Sequence, residues 1–119
     1  MKIQSYRQLD VWKKGVEIAD LVYKITDTFP PEERFGLATQ MQRAAISIPS
    51  NIAEGYARQH RKEYQQFCHV ALGSCAALET QAVIAKSRKY ASETLWLQLD
   101  ELLDHEGRML TNLLKGLRA

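Results

Sequence analysis

The sequence predicts an all-α protein, an antiparallel up-down-up-down four-helix bundle. Apolar residues recur at i, i+3, i+4 and i+7 in four successive stretches, the spacing of one helix face. Only short breakers separate them: Pro30-Pro31, residues 55–60 and residues 89–92. With 6 glycines and 3 prolines in 119 residues, long loops are not expected, and short connections favour antiparallel neighbours. The helices fall at about residues 8–28, 32–54, 61–88 and 93–117, in a single domain spanning 1–119.

Residues 1–7 read as a polar lead-in. Helix one carries two apolar stripes, one of Leu9, Trp12, Val16, Ala19 and Tyr23, the other of Val11, Ile18, Val22, Ile25 and Phe29. Together they exceed what a single seam requires. Pro30-Pro31-Glu32-Glu33 then stops and restarts the chain. Pro31 suits a first-turn position, and the two acids suit the positive end of the next helix dipole.

Helix two places Leu37, Met41, Ala44, Ala45, Ile48 and Ile52 on one face. Gln40, Gln42, Arg43, Ser47, Ser50, Asn51 and Glu54 occupy the other. Pro49 cannot donate to the carbonyl of Ala45, yet Ile52 to Glu54 keep the helical phase. The reading is one helix bent at Pro49, with Ser50 and Asn51 available to bond freed backbone groups. Gly55 is expected as the C′ residue that ends it.

The string RFGLATQMQRAAISIPSNIAEGYAR, residues 34–58, closely resembles the family of small four-helix-bundle proteins encoded in intervening sequences of bacterial 23S ribosomal RNA genes. The resemblance runs upstream through Tyr6, Leu9, Trp12, Ala19, Tyr23 and Phe29-Pro30. Downstream it takes in Phe67, Ala71, Gly73-Ser74 and Leu78-Glu79, so it covers roughly residues 5–90. It implies a homopentameric barrel. A related barrel, the accessory variability protein of diversity-generating retroelements, partners a reverse transcriptase and nucleic acid.

Helix three has a heptad seam of Tyr64, Cys68, Ala71, Cys75, Leu78, Ala82 and Ala85. The small residues from Ala71 to Ala77 allow a neighbouring helix to approach closely. Cys68 and Cys75 lie about 10 Å apart on that face at 1.5 Å rise per residue, beyond the reach of a disulfide, and read as buried thiols. Ser92 is the expected N-cap of helix four. That helix again carries two rows, Leu95, Leu99, Leu102, Met109 and Leu113 beside Trp96, Leu103, Leu110, Leu114 and Leu117. Surplus apolar rows on helices one and four predict self-association; the plainer alternative is a wide core-facing stripe.

No catalytic or cofactor signature is present. His60, His69 and His105 lack ligand or triad spacing, so no metal is expected. Gly36, Gly55 and Gly73 stand alone rather than forming a phosphate loop. Ser47 and Ser50 read as helix-bend hydroxyls, and Glu54 and Glu79 as ion pairs or caps. The start MKIQSYRQLDVWKKG is too polar for a signal peptide, and no apolar run approaches the roughly 20 residues of a membrane span. A cytoplasmic, non-enzymatic protein is expected.

Charge is the more informative signal. The net is +2, but the bundle topology brings residues 1–14, 54–63 and 105–119 to one end. Lys2, Arg7, Lys13 and Lys14 oppose Asp10 there; Arg58, Arg61 and Lys62 oppose Glu54 and Glu63; Arg108, Lys115 and Arg118 oppose Glu106. That end sums to +6 and the remainder to −4. Clustered cations attract phosphate backbones through counterion release, although basic helix ends also serve as dipole complements. A second cluster at the opposite end, Lys86, Arg88 and Lys89, is partly offset by Glu32, Glu33 and Glu93.

The candidate nucleic-acid-binding residues are Lys13, Lys14, Arg58, Arg61 and Lys62. With no base-reading motif, contacts to RNA or DNA should be backbone-directed. Tyr56 either stacks on an unpaired base or packs at its helix end. The expectation is an oligomeric protein binding nucleic acid or a nucleoprotein partner. The alternatives are a protein-only scaffold that Arg43 and the basic end merely solvate, and an enzyme using a phosphorylated substrate at a subunit junction.

Overall fold

The computed structural model describes residues 5–118. Lys2, counted in the basic end, lies outside them. Four helices follow one another: α1 Asp10–Thr26, α2 Leu37–Ala57, α3 Arg61–Ser87 and α4 Glu93–Arg118. Each packs on its chain neighbours, and α4 closes back on α1, leaving α1 diagonal to α3. This is the up-down-up-down bundle, 44 × 24 × 22 Å.

The helix starts follow local chemistry. Ser5 caps a short 3-10 turn at Tyr6–Gln8, its hydroxyl accepting from the Arg7 amide. A second 3-10 turn, Pro31–Glu33, takes up the start expected of helix two, and Gly36 at φ −113° and ψ −110° interrupts the chain. The helix therefore begins at Leu37 rather than residue 32. Glu33 Oε1 accepts from the Leu37 amide at 3.3 Å, the anionic N-terminal role expected of this acid pair. Ser92 Oγ accepts from the Leu95 amide at 3.3 Å, as an N-cap should.

α2 runs through Pro49 without ending. Asn51 donates to the carbonyl and hydroxyl of Ser47, each at 2.8 Å. The carbonyl that Pro49 leaves without a donor is that of Ala45, two residues earlier, so these bonds do not replace the missing one. Gly55 is not a C′ residue: α2 continues two residues past it, and the left-handed position is Gln59 at φ 54°. Gly55 is buried against α3, where an added Cβ would lie 2.6 Å from the Cβ of Phe67.

The α3 seam is as the heptads foretell. Cys68, Ala71, Cys75, Leu78, Ala82 and Ala85 are all buried. Its small side chains admit α2, and Ser47 and Ser74 share a hydrogen bond of 2.8 Å across the contact.

The surplus rows on α1 and α4 do not lie in water as expected. Leu9, Trp12, Ala19, Leu95, Leu102, Met109 and Leu113 are half-buried against the core, and Leu99 is fully buried. Among these rows only Tyr23 is substantially exposed. The large apolar side chains left exposed include Val70, Val83 and Ile84 of α3, at 49%, 63% and 45%, with Ile46 of α2, Leu97 of α4 and, before α2, Phe35 at 87%. The most apolar part of α3 has a mean hydropathy of 1.3, yet only 28% of it is buried. Among the described residues α3 is the one helix long and apolar enough to cross a membrane, a length the sequence reading did not credit to any segment.

Candidate nucleic-acid interface

The basic end is built by the first turn of α1, the connection from α2 to α3, and the last turns of α4. Gln65 Nε2 donates to the Leu117 carbonyl at 2.7 Å and fastens α3 to α4 there. Lys13, Arg61 and Lys62 are exposed. Because α1 is diagonal to α3, Lys13 and Lys14 stand across the end from Arg61 and Lys62. The five candidates share an end, not one patch.

Arg58 and Lys14 are engaged by carboxylates. Arg58 Nη2 lies 3.5 Å from Glu54 Oε1 and its Nη1 3.6 Å from Glu63 Oε1. Its guanidinium also sits 5.3 Å from the Phe67 ring centroid. Arg58 thus clamps the α2–α3 connection, a role that spacing alone did not separate from phosphate binding. Lys14 Nζ lies 3.7 Å from Glu17 Oε2. Tyr56 meets Tyr64 edge to face at 5.8 Å and is half-buried, which favours the packed tyrosine over the base-stacking one.

The sequence reading counted Arg108 and Lys115 as charge but did not place them in the site. With Thr111 and Asn112 they line one wall of a depression of about 460 Å³ between α3 and α4, opposite Leu72 and Glu79. Their i, i+7 spacing along one face was the available signal. Arg108 also pairs with Asp104 at 3.3 Å.

Glu106, which the charge count treats as an acid opposing the cations of the basic end, lies inside the bundle. It is completely buried, and neither carboxyl oxygen has a hydrogen-bond partner. Its position between Leu103 and Leu110 on the inward row was legible. Burial, opposed only by the charge of Lys14, pushes its carboxyl up to about 8. The nominal charge of the basic end is therefore understated at neutral pH.

Burial pushes the Cys68 and Cys75 thiols up to about 12, far from the range of a reactive thiolate. Ser47 is held by Ser74 and Asn51, and Glu54 by Arg58. Among the described residues no His, Cys, Asp and Glu cluster has the geometry to hold a metal ion.

A comparison with curated proteins finds no match. Among solved structures the chain is similar to a protein of unknown function from the S23 ribosomal protein family of Bacteroides thetaiotaomicron. The two share 19% identity and superpose with a TM-score of 0.81, over 88% of this chain and 98% of the other. That likeness is one of fold. The family description 23S rRNA-intervening sequence protein matches residues 7–112, nearly the whole bundle, and this chain belongs to that family.

Proposed function

We propose that this chain is a non-enzymatic, cytoplasmic, homo-oligomeric protein, a pentamer by family resemblance, that binds RNA, DNA or a nucleoprotein partner through its basic end. The observation that carries the reading is the placement of Lys13, Arg61 and Lys62, all exposed, at the same end of the bundle as Lys115 in the last turn of α4. Assembly about a common axis would multiply that charge into a ring. Contacts would go to phosphates and carry little sequence information. The apolar side chains left exposed, three of them on α3, support self-association in place of the α1 and α4 rows.

A salt-titrated binding assay with mixed-sequence RNA and DNA duplexes tests this. Affinity should fall steeply from 50 to 200 mM salt, with a log–log slope of about −0.9 per phosphate neutralised. Absence of binding at low salt would leave the second reading, a protein-only scaffold. The engagement of Arg58 and Lys14 by nearby carboxylates favours that alternative.

A further inference from the structure

A carboxylate costs several kcal/mol to bury without a partner, so a fully enclosed, unpaired glutamate is held as the neutral acid. Glu106 meets that description from every side. Its Oε2 lies 3.2 Å from the point where a Cβ on Gly15 would stand, and the ring nitrogen and Cβ of Pro49 lie 3.2 Å from that same point. The carboxyl thus occupies space that Gly15 of α1 leaves open, against a stretch of α2 whose proline has no N–H to offer it.

The surrounding charges do not compensate. From α1 the cation acting on it is Lys14, which already leans on Glu17. From α3 the facing group is the neutral thiol of Cys75, which also feels Glu79, a second acid. The ionisable side chains of α2 lie elsewhere: Arg43 and Glu54 are exposed, and Tyr56 stacks on Tyr64.

We propose that Glu106 is a proton-operated latch: closing the four helices takes up one proton at this carboxyl, and losing it loosens α4 from its seat in the core. The sign follows from proton binding in the two states. A solvated glutamate titrates near about 4.3, whereas the enclosed one is pushed up to about 8 by burial. Below the lower value both states hold the proton and pH no longer changes the balance between them. Between the two values the closed bundle holds one proton more than the open chain, so stability falls as pH rises. Above the upper value both states are ionised and the loss is complete. Neutral pH lies on the slope.

The test compares denaturant unfolding of the wild type and Glu106→Gln at one protein concentration from pH 5 to 9. The ratio of their unfolding constants should grow roughly tenfold per pH unit and level off near pH 8; a ratio independent of pH overturns the latch. Should the variant not fold, carboxyl carbon NMR of the wild type decides, with a midpoint near pH 8 expected and one near 4 to 5 overturning. Hydrogen exchange adds the structural arm. After correction for intrinsic rates, α4 amides should lose protection ahead of α2 amides between pH 6 and 8, and equal loss in both helices overturns the assignment to α4.

Discussion

Gly55 of α2 and Phe67 of α3 approach so closely that a methyl group at position 55 would sit 2.6 Å from the Phe67 Cβ. No rotamer change relieves such an overlap, because the atom in the way is attached directly to the α3 backbone. The contact sets how near the two helices lie at the basic end. It also explains why a glycine is tolerated inside a helix, where it costs about 1 kcal/mol relative to alanine.

Gly55→Ala should therefore destabilise the protein despite its better helix propensity. Overpacking of this kind costs about 1–3 kcal/mol, which exceeds the propensity gain. Thermal denaturation followed by circular dichroism should show a melting temperature lower by several degrees. A rise would mean that α2 and α3 separate without cost.

Ala91 adopts φ 61° in the turn between α3 and α4, beside Lys89 at φ 62°. The turn is held open for Trp96, whose Nε1 donates to the Tyr90 carbonyl at 2.7 Å. An alanine in the left-handed region carries about 1–2 kcal/mol of steric cost, whereas glycine carries none. Ala91→Gly should stabilise the protein by about 0.5 kcal/mol after the entropy lost from the more flexible unfolded chain is subtracted. The denaturation midpoint should move up with an unchanged slope.

Arg58 and Lys62 are neighbours on the same connection, yet they should respond differently to removal. Arg58→Ala should cost about 0.5–1 kcal/mol of stability, since it breaks two partly exposed ion pairs and a cation–π contact. Lys62→Ala, at an exposed position, should leave stability nearly unchanged. If the basic end binds phosphates, Lys62→Ala should also reduce the salt slope by about one. Equal stability losses in both variants would remove the structural role assigned to Arg58.

Val70 and Val83 flank the outward side of α3, at 49% and 63% exposure. Val70→Asp and Val83→Asp combined should leave the helical content intact, because neither side chain belongs to the core. If copies associate through this face, sedimentation should show the variant as a lone subunit at concentrations where the wild type is assembled. An assembled variant would place the interface elsewhere.

Much of the fold was written in the order of residues. The α3 seam was legible residue by residue because a heptad repeat reports which side chains share a face, and that is a property of the helix itself. Ser92 and Glu33 were legible as helix starts for the same local reason. Gly55 was misread because glycine past an apolar run looks like a terminator; only Phe67, twelve residues on, shows what its missing Cβ is for. The rows on α1 and α4 looked excessive because neither helix reveals how much of it the rest of the core will cover.

The candidate site divides along the same line. That Lys13, Arg61 and Lys62 gather at one end follows from helix count and short connections. The pairing of Arg58 with Glu54 and Glu63, and the enclosure of Glu106 by Gly15 and Pro49, do not.

The sequence by itself determined four amphipathic helices, their up-and-down order and the face each turns inward. The tertiary structure decided how far the apolar rows are covered, which cations pair with carboxylates, and that one glutamate is sealed from water. Helical periodicity is set by residues three and four apart, within a single turn. Burial and charge pairing are set by distances between chain segments that meet only once the bundle has closed.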